Sequence, residues 1–371
     1  MKDTSLTILM LVTKRQYRGA EISAFNLSKS LLEKGHRILW VGLYPHRQGH
    51  IVTLDGAVNI DLPASSSWLS IKKLKALASL YKEHNPHIVQ ANGSDTLRYV
   101  VFLKILGFSP KIVYRNISIL STWINSRPKY ILFKFLFSKT DKVISVGEEA
   151  LTDFRNFFPF SADKSLVIHR GVPLISSSEK EISKIREQYS IQKEDFVFIH
   201  IGHFSAEKNH TFLLKAWQQL TSKHNNIKLV LLGDGILRDA ISNEMREFNL
   251  SNTVLMPGLQ TNIADWLAIS KVMVLCSTIE GVPGVVVEAS FQGVPTVAVN
   301  VGGVKEVLID GENGLLVPTH DIDQFVQNCE KLLMDDNYRQ TLGNKAKTIV
   351  RERFDLDNNT NQFVAVYNSI L

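Results

Sequence analysis

The chain has little sulfur to work with: its 371 residues hold two cysteines, Cys276 and Cys329, far apart and each inside an apolar pattern. So sparse a set excludes a disulfide framework and offers no zinc-ligand spacing. Two unbridged core thiols in a reducing cytoplasm are expected. Long hydrophobic runs are missing too, and none has the length needed to span a bilayer. The opening MKDTSLTILMLV is too short in its apolar part for a secretory leader, has no cleavage site, and reads as a first buried strand. There is no short-period repeat, no low-complexity run, and no helix-turn-helix or RNA-module signature, so nucleic acid ranks last among partners. No convincing Asp-x-Asp metal motif occurs, and neither a metal nor another cofactor is expected. Gly233-Asp234-Gly235 lacks the third glycine of a dinucleotide fingerprint, which argues against NAD.

What remains is an ordinary globular composition, 44% apolar and 21% charged, long enough for two α/β domains with separate cores. The net charge of +6 hides an asymmetry. Residues 1–175 carry 24 Lys/Arg against 12 Asp/Glu, and the rest carry 18 against 24. The two halves therefore face different electrostatic partners. Proline and three serines in GVPLISSSEKE, residues 171–181, break the pattern and mark a boundary. The reading is an N-terminal domain over 1–175, a second domain over 176–354, and a terminal helix at about 355–371.

The stretch from Lys271 to Val299, KVMVLCSTIEGVPGVVVEASFQGVPTVAV, organises the rest. It predicts a buried strand over Val272–Cys276, a loop, a short helix and a second buried strand over Pro295–Val299. Pro283 suits the first helical turn, and Gly281 and Gly284 let a ligand approach the backbone. A helix start of this kind, with free N–H groups and the positive end of its dipole, suits an anion. Glu280 lies in the loop and Glu288 about a turn into the helix, with seven residues between them.

Other segments supply cations. Phe196–Gly202 reads as a buried strand running into HFSAEKNH and then a helix, a phosphate-binding arrangement with Lys208 and His203 as its polar groups. The first strand, Leu6–Val12, leads through a loop to a helix from about Glu21 to Glu33, closed by Gly35. Further strands are predicted at His87–Gln90, Lys111–Tyr114 and Lys142–Val146, with Asn92, Asp95, Arg115 and Asn116 read as βα-loop residues. Asp310–Gly314 gives a turn-rich, hairpin-like signal before Leu315–Val317. Thr122–Lys139 interleaves basic and aromatic residues, which suits the face of an anionic membrane and equally a core-packing helix with basic ends.

The Glu-seven-residues-Glu unit between two strand patterns, followed by Gly302-Gly303 and Glu306, resembles the signature of glycosyltransferase family 4, retaining enzymes of the GT-B fold. The resemblance covers nearly the whole chain, tightly from Gly202 to Pro318 and loosely from Asn92 to Ser121. It implies two Rossmann-like, doubly wound domains facing each other across a cleft, with the terminal helix packing back on the first. It further implies transfer of a sugar from a nucleotide-diphosphate sugar to a glycan or glycolipid acceptor, in envelope polysaccharide or lipopolysaccharide synthesis. The setting would be the cytoplasm, with the inner membrane face as a possible site of attachment.

Residue by residue, the resemblance gives Lys208 and Glu280 the catalytic roles. The donor would meet Gly19, His203, Gly258, Leu259, Gly281, Val282, Pro283, Gly284, Val285 and Glu288. Glu288 would take the ribose hydroxyls, Glu280 the sugar, and Pro257-Gly258-Leu259 the base through backbone groups. Arg18, Asn92, Asp95, Arg115 and Asn116 would lie on the acceptor side.

Two departures stand out. Arg18 replaces one glycine of the family's Gly-Gly-Ala-Glu run, and His203 stands where the family has a phosphate-clamping arginine. Arginine is always charged, whereas histidine has a reference pKa of about 6.5, so donor affinity is expected to weaken as pH rises. A sugar-nucleotide epimerase or phosphorylase shares the architecture, but the lysine and two glutamates speak against both. A catalytically silent binding partner of a glycan-assembly complex is the remaining alternative.

Overall fold

The computed structural model describes residues 5–45, 51–65, 67–174 and 176–371. It divides into two compact units, Met1–Pro173 with Phe354–Leu371, and Leu174–Arg353.

The first unit runs β1 (Thr7–Val12), α1 (Gly19–Glu33), β2 (Arg37–Gly42), β3 (Val58–Asp61), α2 (Ile71–His84), β4 (Ile88–Asn92), α3 (Ser94–Ile105), β5 (Lys111–Asn116), α4 (Arg127–Ser138), β6 (Lys142–Ser145), α5 (Glu148–Phe157) and β7 (Ser165–Val167). Its seven strands lie in the order β3-β2-β1-β4-β5-β6-β7, all parallel. The continuous apolar runs of β1 and β2 are buried on both faces, as a helix-covered parallel sheet requires. Leu9, Leu11, Leu39 and Val41 feed one core layer. Ile8, Met10, Ile38 and Trp40 feed the other, the period-two alternation of a strand. Gly35, at φ +86°, ends the α1 region where an L side chain would be strained.

The second unit runs α6 (Glu179–Gln188), β8 (Phe196–Ile201), α7 (His210–Lys223), β9 (Ile227–Leu232), α8 (Arg238–Glu247), β10 (Val254–Gly258), α9 (Ile263–Ile269), β11 (Val272–Leu275), α10 (Gly284–Gln292), β12 (Thr296–Val299), β13 (Gly314–Val317), α11 (Ile322–Met334) and α12 (Asp336–Phe354). Its sheet order is β10-β9-β8-β11-β12-β13, again parallel. The edge position of β10 lets it contain Pro257, whose missing N–H would break a central ladder. The last helix, α13 (Leu356–Asn368), belongs to the first unit, where Phe363 and Tyr367 join the layer containing Met10 and Trp40.

In both sheets the strand order reverses direction once, between β1 and β4 and between β8 and β11. The crevice beyond the carboxyl ends of strands at such a point is where open α/β sheets take ligands. Both units are thus Rossmann-like.

Several expectations change. Asp310–Gly314 is a turn and no hairpin, because β13 pairs parallel with β12. In Thr122–Lys139 the rings mostly pack inward: Tyr130 stacks on Phe158 at 5.3 Å, and Trp123 and Phe137 contact Phe133. Ile131 and Phe135, one turn apart on α4, stay exposed beside Arg127 and Lys134. No helix among the described residues is long and apolar enough to cross a membrane.

Candidate active site

At the reversal between β8 and β11, two loops leave the carboxyl edge of the second sheet side by side. After β8 the chain runs through Gly202, His203 and Phe204 to Lys208 and Asn209, whose left-handed backbone (φ 52°) turns it into α7. After β11 it passes through Cys276, Ser277 and Glu280 into α10. The Lys208 Nζ donates to Glu280 Oε1 at 2.5 Å, and the Ser277 hydroxyl donates to the same oxygen at 2.6 Å. Both charged side chains are largely covered, at 19% and 10% exposure. At that burial solvent screens the pair less than it would at the surface.

The two loops are bound to each other by backbone as well. The Thr278 N–H reaches the Glu207 carbonyl at 2.8 Å, and the Cys276 thiol donates to the Lys208 and Asn209 carbonyls at 3.3 and 3.4 Å. Burial pushes that thiol up to about 12, so it serves as a donor and not as a nucleophile. A ring nitrogen of His320 meets the Cys276 and Ser277 carbonyls at 3.1 and 3.2 Å.

Gly302 and Gly303 have a packing reason. Gly302 sits at φ +51°, and a β-carbon there would run into the Glu280 carbonyl oxygen. One on Gly303 would lie 2.7 Å from the Gly281 carbonyl oxygen. The Gly303 N–H also reaches the Glu280 carbonyl, at 3.3 Å. The glycine pair therefore fixes the Glu280 loop from behind. Gly233 and Gly235 pack likewise against the backbone of Gly202 and Phe204, so Gly-Asp-Gly braces the lysine loop.

Behind Lys208 lie two fully buried histidines. His200 Nδ1–H donates to the Val274 carbonyl at 3.0 Å, and its ring stands edge-on to that of His210, 5.0 Å away. Burial, followed by the neighbouring ring, pushes His200 down to about 3. Burial, followed by the charges of Lys208 and His203, pushes His210 down to about 4. Both rings are neutral at pH 7.

The helix start is as expected, except that Pro283 occupies the cap position before Gly284 and not the first turn. Val286 and Val287 N–H groups turn back to the Pro283 carbonyl at 3.2 and 3.4 Å. Val282, Pro283 and Gly284 are buried, Gly281 is exposed, and Val285 and Glu288 are half-buried. Glu288 stands four residues into α10, so its side chain leans back over the first turn. His203 is exposed at the mouth of the lysine loop. Gly258, at φ +85°, ends the edge strand β10, and Leu259 after it is 45% exposed.

The residues expected on the acceptor side all fall in the first unit, and most are not loop residues. Asn92 ends β4, buried, donating to the Leu11 carbonyl at 3.2 Å and accepting from Gln90 at 3.0 Å. Arg115 and Asn116 belong to β5 and are buried. Arg115 donates to Ser23 at 2.9 Å and lies over the Phe363 ring, and Asn116 donates to Ser145 and the Ala150 carbonyl. The strands run further than expected because these polar ends each find a hydrogen-bond partner on another segment, although Arg115 Nε and Nη1 and Asn116 Oδ1 stay buried without one. Asp95 lies in the first turn of α3, paired with Arg98 at 3.2 Å. Arg18 caps α1, exposed, and Gly19 begins it.

Two family models match this chain: Glycosyl transferases group 1 over residues 181–349 and Glycosyltransferase Family 4 over residues 17–175. The chain belongs to glycosyltransferase family 4. It is a sugar-transferring enzyme of the GT-B type. It is 25% identical over 365 residues, 95% of this chain and 94% of the relative, to N-acetyl-alpha-D-glucosaminyl L-malate synthase of Bacillus anthracis. It is 26% identical over 300 residues, 77% of this chain and 79% of the relative, to an N-acetylgalactosaminyltransferase of Campylobacter jejuni that acts on a diphospho-undecaprenol-linked sugar. Among solved structures, Anabaena HepE in complex with UDP-glucose matches with a TM-score of 0.83 at 22% identity, over 99% of this chain and 100% of that one. WaaG, a glycosyltransferase of lipopolysaccharide biosynthesis, matches with a TM-score of 0.75 at 13% identity, over 97% and 99%.

One residue that sequence reading passed over is Lys73. It lies on the buried face of α2 with Leu77 and Leu80, at i, i+4 and i+7. The signal was a lysine at an apolar position of an amphipathic helix.

Proposed function

We propose that the second unit binds a nucleotide-diphosphate sugar and that the enzyme transfers its sugar, with retention, to a glycan or glycolipid acceptor of the cell envelope. The Lys208–Glu280 pair, held at the strand-order reversal, carries the reading. Lys208, His203 and the N–H groups at the start of α10 would oppose the charge that develops on the departing diphosphate. That supply of positive field requires no metal. Glu280 would hold the sugar hydroxyls, and Glu288, an acceptor-only carboxylate, the ribose hydroxyls. Backbone groups of Gly258 and Leu259 would meet the base, Gly281–Val285 would line the phosphates, and Arg18 would sit toward the acceptor. UDP in the HepE complexes supports a uridine donor, and the diphospho-undecaprenol-linked sugar named for the Campylobacter relative supports a glycoconjugate pathway.

The test is a melting panel of uridine, guanosine and adenosine diphosphates. A ligand at a hundredfold over its dissociation constant stabilises by about 2.7 kcal/mol. One diphosphate should stand out, and Glu288→Gln should remove most of its advantage. No response to any nucleotide would end the donor assignment, and an inverted anomeric configuration in the product would end the retaining one. The exposed Ile131 and Phe135 beside Arg127 and Lys134 support contact with an anionic membrane. Co-sedimentation with phosphatidylglycerol vesicles, unaffected by Phe135→Glu, would remove that part.

A further inference from the structure

At the carboxyl edge of the first sheet, on the side of β2 and β4, two cations share one tyrosine. The Lys73 ammonium is fully buried, has no hydrogen-bond partner, and lies 3.5 Å from the centre of the Tyr44 ring. The Arg98 guanidinium donates to the Tyr44 hydroxyl at 3.0 Å and leaves its Nε unpartnered. Trp68, 52% exposed, covers Arg98 at 5.3 Å. Asp95 is the only acid paired with this group among the described residues. It is half-exposed and bonded to Arg98 alone.

The surroundings are firmly built. The Ser70 N–H donates to the Tyr99 hydroxyl at 3.1 Å, the Ser70 side chain caps α2 by accepting from the Lys73 N–H, and Tyr99 is itself buried. A buried ammonium with only an aromatic face for company is under-compensated, because a ring returns less than an oxyanion does. Burial, and then the charge of Arg98, bring Lys73 down to about 8, which still leaves it mostly protonated at pH 7. Ammonium, guanidinium fork and phenol hydroxyl together are the donor set for a phosphate or carboxylate.

We infer that Lys73, Arg98 and Tyr44 form an oxyanion subsite of the first unit that recognises a phosphate or carboxylate carried by the sugar acceptor. The assignment rests on the transferase reading above and narrows its acceptor to an anionic one. The ion enters by displacing Trp68 from Arg98, which makes Trp68 a built-in reporter.

The experiment uses the full chain saturated with UDP, so that the nucleotide site is filled. Tryptophan fluorescence and melting temperature are followed while inorganic phosphate, L-malate or phosphatidic-acid vesicles are added at matched ionic strength. The wild type should respond saturably to at least one of them. Lys73→Met, which suits the apolar face of α2 and should fold, and Arg98→Gln should each weaken that response by about tenfold or more, the loss of one charged hydrogen bond. UDP binding should be unchanged in both. A response to phosphate or malate places the anion on a soluble acceptor, and a response to vesicles alone places it on a lipid. Absence of any saturable response in the wild type, or a response undiminished in both variants, overturns the subsite. Failure of UDP itself to bind would instead count against the transferase reading.

Discussion

Lys208 is already engaged by Glu280 before any ligand arrives, and this gives a prediction that a simple clamp would not. A donor diphosphate must draw the ammonium, at least in part, away from a carboxylate 2.5 Å distant. On the proposed donor assignment, replacing Lys208 by Met would remove one charged hydrogen bond to the diphosphate, worth roughly 1.5–3 kcal/mol, and so should lower UDP affinity by about 10- to 150-fold. It also leaves Glu280, whose side chain is only 10% exposed, with Ser277 as its remaining hydrogen-bond donor from this pair of loops. Stability should fall by about 1–3 kcal/mol, or about 2–4 °C in melting temperature for each kcal/mol in a unit of this size.

Glu280→Gln should behave differently. It frees the ammonium, so UDP affinity should stay level or tighten by up to about tenfold while sugar transfer falls steeply. Calorimetric titration with UDP across the two single variants and the double variant measures the coupling directly. Effects that add to within about 0.5 kcal/mol would show that the two side chains do not compete with the ligand. So would a Glu280→Gln protein that loses UDP as severely as Lys208→Met. Either result refutes the reasoning.

Other outcomes follow from the same geometry. Gly302→Ala should displace the Glu280 loop, because the added carbon meets the Glu280 carbonyl at a backbone conformation already disfavoured for L residues. Transfer should drop with UDP binding retained, and an active Gly302→Ala enzyme would contradict this. His200 and His210 are held neutral, with folded pKa values of about 3 and about 4 against a reference near 6.5. The unfolded chain binds more protons than the folded one between those values, so stability should decline as pH falls from about 6.5 to 4. His210→Phe should flatten that limb in pH-dependent melting, and an unchanged slope would show that the pair is not its source.

The sequence exposed the candidate site of the second unit far better than the polar residues of the first, for a physical reason. Val272–Leu275 and Val297–Val299 are uninterrupted apolar runs separated by a segment that holds Gly and Pro, so their burial and the break between them both show in the residue types. Lys208 and Glu280 were nameable from the motif, but their contact depends on β8 and β11 being neighbours, a tertiary fact. The role of Gly302-Gly303 was hidden as well, since a backbone-to-backbone approach leaves no side-chain trace. In the first unit, Asn92, Arg115 and Asn116 looked like loop residues because polar side chains usually end strands. Here Leu11, Ser23 and Ala150 supply partners from distant positions. The strand Val58–Asp61 was missed because its four residues are only half-buried and carry no apolar run.

The placement of α13 bears on how the protein is made. The Tyr367 hydroxyl donates to Gln90 at 2.5 Å, and Phe363 lies beneath Arg115, so the first sheet is completed by a helix that is synthesised only after the whole of the second unit. The second unit has no such dependence and can close while the nascent chain is still attached. Biogenesis should therefore run back to front, and a nascent chain stalled after residue 353 should show a protease-resistant second unit beside an incompletely protected first one.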